Sequence, residues 1–149
     1  MQVEQNKKAV RRFYEEVMGK GNYDVASEVF SDSYIRHDFR QTVAAAGPQG
    51  QKDVAVAFRA AFPDIKVKID LLLGEGDYVI GRWTLTGTND GPWDRQSPTG
   101  KKMVYSGCNI FRFQNGKVAE IWNHRDDLGL QEQLGVPIHA GTPPEKSTR

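Results

Sequence analysis

The sequence predicts an α+β domain in which three helices precede a curved, largely antiparallel sheet and a short helix closes the chain. Three observations carry this expectation. Apolar residues recur with a helical period up to Pro63 and with a period of two beyond it. Asn115-Gly116 stands between two apolar runs, the strongest short signal for a two-residue hairpin turn. With 149 residues, 38% of them hydrophobic and 26% charged, the chain has the size and balance of one globular domain.

The elements follow in order. Val10, Phe13, Tyr14, Val17 and Met18 form the stripe of an amphipathic helix, which Gly19 and Gly21 end. A short second helix, capped by Asn22 or Asp24, presents Ala26, Val29 and Phe30. Tyr34 to Phe39 reads as an extended stretch, and Arg40 to Gln51 reads mostly as loop. Val54, Phe58, Ala61 and Phe62 mark a third helix that Pro63 stops. Ile65, Val67, Ile69, Leu71 and Leu73 then alternate with polar residues as a half-buried strand. Tyr78 to Thr88 is a second strand, and Asn89 to Gly100 a loop dense in Gly and Pro. Lys102 to Phe113 and Lys117 to His124 form the hairpin around Asn115-Gly116. Leu128 to Leu134 is a closing helix. The single domain is expected to span 1–138, with 139–149 a disordered tail.

Composition narrows the function classes. Twenty Lys and Arg against nineteen Asp and Glu leave a net charge of +1, with no general attraction for nucleic acid or an anionic membrane. No apolar run approaches the roughly 18 residues needed to cross a bilayer, so a cytoplasmic location is expected. One cysteine, Cys108, excludes an internal disulfide. The three histidines, His37, His124 and His139, have no metal-site spacing, and no phosphate-cradling glycine motif or nucleophile elbow is present. A metal site is therefore not expected, and nucleotide binding and serine-hydrolase chemistry lose their usual signals. Proton transfer by a carboxylate, with His, Tyr and Asn orienting a substrate, is the chemistry left.

A tight turn at Asn115-Gly116 sets Gln114 opposite Lys117, and each pair beyond it follows in step. Asn109 then opposes Trp122, and Tyr105 opposes Asp126. Unless a bulge intervenes, Tyr105, Asn109, Trp122, His124 and Asp126 share one face. Such a polar face is either a pocket with convergent groups or the solvent side of a half-covered sheet. His37 is open to two readings as well, a pocket group or a hydrogen-bonded core histidine. Arg82 is either a pocket cation or a snorkelling surface residue, and Trp93 a lid over the pocket or a loop anchor.

An ordered set of short motifs resembles the SnoaL-like polyketide cyclases, also called the ester cyclase family. The set comprises F-Y-E-E-V at the start, Y-I-R-H at Tyr34 to His37 and F-P-D at Phe62 to Asp64. It continues with G-D-Y-V-I-G-R-W-T-L-T-G-T at Gly76 to Thr88 and S-P-T-G at Ser97 to Gly100. The stretch N-G-K-V-A-E-I-W-N-H-R-D-D-L-G-L-Q-E-Q-L-G at Asn115 to Gly135 completes it. The resemblance implies the nuclear-transport-factor-2-like (NTF2-like) cone, a cystatin-like α+β barrel. It also implies cofactor-free intramolecular aldol closure with an aspartate as acid/base. The family's W-x-x-x-D carries onto Trp122 and Asp126, and its Y-x-x-H onto His37. Its G-T-H reads Gly87, Thr88, Asn89 here, which removes one ionisable pocket group.

The expectation is thus a small enzyme with Asp126 and His37 as catalytic groups. An apolar, oxygenated substrate would touch Tyr14, Arg82, Trp83, Asn89, Trp93, Tyr105, Asn109, Trp122 and His124. Epoxide opening through an Arg82–Asp126 pair, dehydration or isomerisation are alternatives on the same fold, as is a non-catalytic ligand-binding or dimerisation module. Apolar residues left on the outer sheet face predict a homodimer through the sheet.

Overall fold

The computed structural model describes residues 1–38, 47–93 and 96–135. Helix α1 (Gln2–Arg12) runs directly into a π-helical stretch, Phe13–Gly19, and the whole predicted stripe, Val10, Phe13, Tyr14, Val17 and Met18, is buried. A single 3₁₀ turn (Tyr23–Val25) and the short α2 (Ala26–Val29) lead into β1 (Phe30–His37). Helix α3 (Pro48–Ala61) follows, with its proline at the start of the helix, where the missing N–H costs nothing. Strands β2 (Lys66–Glu75), β3 (Tyr78–Thr88), β4 (Lys102–Gln114) and β5 (Lys117–Arg125) come next. Helix α4 (Asp127–Leu134) ends on left-handed Gly135.

The five strands form one curved, unclosed sheet in the order β1-β5-β4-β3-β2. Every pairing is antiparallel except β1 with β5, which run parallel. The expected helix–sheet segregation is therefore present, with differences at the edges. β1 starts at Phe30 instead of Tyr34, because Phe30 and Tyr34 both point into the core from an extended chain. α3 starts at Pro48, so the last four residues of the stretch expected to be loop are helical. The expected tail, 139–149, lies outside the described residues. No described helix is long and apolar enough to cross a membrane.

The hairpin departs from the expected register in one decisive respect. Gln114 faces Lys117 and Phe113 faces Val118 as expected, but Arg112 then faces Glu120, so β5 carries one extra residue around Ala119. The cause is packing. Val118 and Ile121 are both buried, and side chains three residues apart reach the same face of a strand only across a bulge. From there on every side chain of β5 is reversed relative to the expectation. Asn123 and Arg125 line the interior, while Glu120, Trp122 and His124 belong to the outer face.

The helices cover the inner face of the sheet. On the outer face, Ile35, Leu71, Leu73, Tyr78 and Ile80 remain exposed. The segment after β3 is pinned to the core by two residues. Asn89 is fully buried; it donates to the carbonyls of Gly91 (2.8 Å) and Ala61 (3.4 Å) and accepts from the Thr99 amide and hydroxyl. Trp93 is 7% exposed, with its ring 4.7 Å from Phe58 and 5.8 Å from Phe62. It is an anchor, and the lid expectation is corrected accordingly. Trp93→Ala is expected to cost about 3–5 kcal/mol, read as a lower urea midpoint. An unchanged midpoint would restore the lid.

Candidate functional site

Between the π-helical stretch, α3 and the inner sheet face lies a cavity of about 40 Å³. Phe13, Met18, Val54, Phe58, Val67, Leu85 and Ile121 make its walls largely apolar. Sites for drug-sized ligands usually hold roughly 300–1,000 Å³, so this cavity as it stands has room for a few waters, and a ligand with even one ring would have to part the walls. Among the described residues, its polar lining comprises Tyr14, Arg36, Gln51, Trp83, Asn109, Asn123 and Arg125.

Glycines make room for the two largest of these. A Cβ on Gly81 would lie 2.6 Å from the Tyr14 hydroxyl, and one on Gly107 would lie 2.3 Å from the Trp83 ring. With both positions cleared, Tyr14 from the π-helical stretch and Trp83 from β3 converge on β4. The Tyr14 hydroxyl and Trp83 Nε1 each donate to Asn109 Oδ1 at 2.7 Å. The direction of this network is fixed by chemistry. An indole N–H only donates, so the oxygen of Asn109 faces it and the amide nitrogen faces β5. Asn109 Nδ2 donates to Asn123 Oδ1 at 2.6 Å, and Asn123 Nδ2 reaches the His37 carbonyl only at 3.4 Å. The series of donors therefore ends on the amide of Asn123, with each bond polarising the next.

A cluster of charge forms the second polar region. Arg36 on β1 donates through Nη1 to Gln51 Oε1 at 2.5 Å and through Nη2 to Asp38 at 2.9 Å. Arg125 on β5 donates to the same Asp38 oxygen at 2.8 Å. The side chains of Arg36, Asp38 and Arg125 are 8%, 6% and 6% exposed. Asp127 lies 4.0 Å from Arg125 Nε and accepts from the Tyr105 hydroxyl.

Of the residues singled out in the sequence, Tyr14, Trp83 and Asn109 line the cavity together. Tyr105 is buried and packs its ring against Trp83, with its hydroxyl turned to Asp127. The others are placed elsewhere, which corrects the expected pocket face. Asp126 is exposed and caps α4, accepting the Gly129 amide at 3.0 Å. His37 and Trp122 stack on the outer face at 5.0 Å, and His124 is exposed on the same face, all three reversed by the bulge or by pairing with β5. Hydrogen bonds from His37 (2.6 Å) and Arg112 (2.9 Å) hold the Glu120 carboxyl below its usual range. Arg82 is also on the outer face, paired with Asp70 at 2.6 Å, so no Arg82–Asp126 pair forms. Asn89 and Trp93 hold the segment after β3.

Sequence reasoning missed Arg36, Gln51, Asn123 and Arg125. The three-residue spacing of Val118 and Ile121 was the available signal for two of them, since it implies the bulge that turns Asn123 and Arg125 inward. Among the described residues no carboxylate lines the cavity, and no group of three or more His, Cys, Asp or Glu is placed to hold a metal ion.

Fold and cavity together define an NTF2-like α+β cone with a mixed-polarity site between helices and sheet. The family profile for SnoaL-like polyketide cyclases matches residues 8–134, and the chain belongs to that family. No curated protein matches it. Among solved structures, a polyketide cyclase candidate from Bacillus cereus ATCC 10987 is 28% identical with a TM-score of 0.76, over 90% of this chain and 83% of that one. A SnoaL-like polyketide cyclase candidate from Jannaschia sp. CCS1 is 27% identical with a TM-score of 0.78, over 91% and 94%. TsrD from Streptomyces laurentii shares the fold at 22% identity, with a TM-score of 0.81 over 90% and 97%.

Burial pushes the Tyr14 hydroxyl well above its ordinary value of 10.0, with a smaller contribution of the same sign from Cys108. Tyr14 thus stays a donor wherever the protein is folded. In the unfolded chain it ionises near its ordinary value, so above about pH 10 the unfolded state binds fewer protons and stability falls as pH rises. Tyr14→Phe is expected to lessen this alkaline loss, leaving the part due to Tyr34, whose hydroxyl burial also raises. Urea midpoints measured from about pH 8 to about pH 11 check it, and identical slopes in both proteins would count against the burial argument.

Proposed function

We propose that the chain is a cyclase-type enzyme acting on a small, largely apolar molecule that carries a carbonyl oxygen. The observation that carries this reading is the one-directional hydrogen-bond series ending on Asn123 inside an apolar cavity. A carbonyl oxygen placed at the end of that series accepts from Asn123 Nδ2. As water or hydroxide from solvent takes a proton from the adjacent carbon, negative charge grows on the oxygen, and the preorganised donors favour that enolate over the ground state. Among the described residues the cavity lining supplies no carboxylate to act as this base. Aldol ring closure, or double-bond migration, both begin with this step. Membership in the cyclase family and the likeness to cyclase candidates support it.

In this reading Asp126 contributes the α4 cap, since its carboxylate would have to give up the Gly129 amide to approach the cavity. A second reading, a binding module without turnover, is favoured by the absence of a carboxylate from the described cavity lining. One experiment addresses both: deuterium uptake next to the carbonyl of acetophenone in D₂O, followed by NMR. Wild-type protein is expected to accelerate exchange. Asn123→Leu should lose roughly 10²–10³ of that acceleration while its melting curve shows a folded protein. Asp126→Asn, which retains a capping oxygen, is expected to keep the acceleration. Loss in Asp126→Asn alone would return the acid/base role to that residue. Binding of acetophenone without any exchange would favour the binding module.

We also propose that the outer sheet face pairs with a second copy of the chain, because five large apolar side chains remain exposed there and no described helix covers them. Light scattering at micromolar concentration should give the mass of a dimer, and Leu73→Lys should shift it toward the monomer. A monomer mass for the wild type would contradict the pairing.

A further inference from the structure

We infer that the Arg36–Arg125 end of the cavity is a subsite for a carboxylate borne by the ligand. The inference rests on the small-molecule reading of the cavity and adds the ligand's charge class to it. Both guanidiniums line the cavity, and both side chains are more than nine-tenths buried. They share one comparably buried counter-charge, Asp38. Asp127 is the next nearest carboxylate, but it stands 4.0 Å from Arg125 Nε, is 31% exposed, and is already hydrogen-bonded by Tyr105. Among the described residues these two buried cations have one comparably buried counter-charge and a partly exposed one 4.0 Å away, so the pair is incompletely compensated where it borders the cavity.

Donor geometry points the same way. Each guanidinium carries five N–H groups in a planar fork. Two N–H···O bonds from Arg36 and one from Arg125 go to side chains of the described residues. A planar carboxylate is the anion such forks hold best, through paired N–H···O bonds.

Asn123 and Arg125 are two residues apart on β5, and Arg36 pairs beside Ile121, so the neutral donor and the two guanidiniums share one side of the cavity, with its apolar walls completing the rest. The ligand class that fits is a small oxo acid with its carbonyl close to its carboxylate and an apolar remainder.

Benzoate and benzamide have nearly the same shape and differ in charge, so their dissociation constants, measured by ligand-observed NMR, isolate the subsite. Benzoate is expected to bind about tenfold or more tighter, the factor that one charge-assisted hydrogen bond supplies. Arg36→Gln should erase the difference. Gln51→Glu sets a carboxylate of the protein's own beside Arg36 and should erase it too, while benzamide binding persists. This second variant serves if Arg36→Gln does not fold. Equal affinity of the two ligands for the wild type, or a preference that survives Gln51→Glu, would overturn the subsite and leave the small-molecule reading standing. Failure of both ligands to bind would overturn that reading and the subsite with it. Displacement of benzoate by inorganic phosphate at equal concentration would also overturn it, since the site would then be one for free inorganic anions.

Discussion

One extra residue in β5 decides what the interior of this protein contains. A strand alternates its faces strictly, so the bulge around Ala119 exchanges one set of side chains for the other over the rest of the strand. Without it, Glu120, Trp122 and His124 would face the helices, and Asn123 and Arg125 would face outward. The energetic reason is local. Val118 and Ile121 both gain burial, and Glu120 moves out to meet His37 and Arg112 instead of being stranded in the core. Because β1 pairs in parallel with β5, the same choice settles which side of β1 matters: Arg36 lies beside Ile121 on the inside, and His37 beside Trp122 on the outside.

With the register fixed, the cavity's chemistry follows from what its side chains can and cannot do as donors. Trp83 only donates, which orients Asn109, which in turn orients Asn123. Such a series holds its direction without any titratable member changing charge, since burial keeps the Tyr14 hydroxyl protonated. Rigidity comes from close packing, as Gly81 and Gly107 leave no slack around the two aromatic rings that begin the series. The charged cluster has the opposite character. Arg36 and Arg125 are held by Asp38 and Gln51 yet keep further N–H groups, so the cavity combines neutral donors with cationic ones.

The outer sheet face follows a different logic. His37, Trp122, Glu120 and Arg112 form a linked group of stacked rings and ion pairs, bordered by exposed Tyr78 and Ile80. His37 and Trp122 in this group were expected in the pocket from the sequence. Their chemistry belongs to a surface, where a histidine and a carboxylate paired beside solvent contribute little net energy.

The sequence by itself determined the order of elements, the buried stripe of the first helix, the hairpin at Asn115-Gly116, the family, and three cavity residues, Tyr14, Trp83 and Asn109. Those properties depend on spacing within a single element or on motifs read along the chain, and local spacing survives folding. The tertiary structure decided the rest. Asp126 became a cap because the chain turns into α4 immediately after it, and Trp93 became an anchor because Phe58 and Phe62 from α3 meet it. Arg36, Gln51 and Arg125 come from three different elements, so no period along the chain marks them as neighbours. Asn123 turned inward for the sake of Val118 and Ile121, two residues with no chemistry of their own. Side-chain facing in a sheet is a collective choice, and a bulge, which costs one unpaired residue, is made where it buries the most apolar surface.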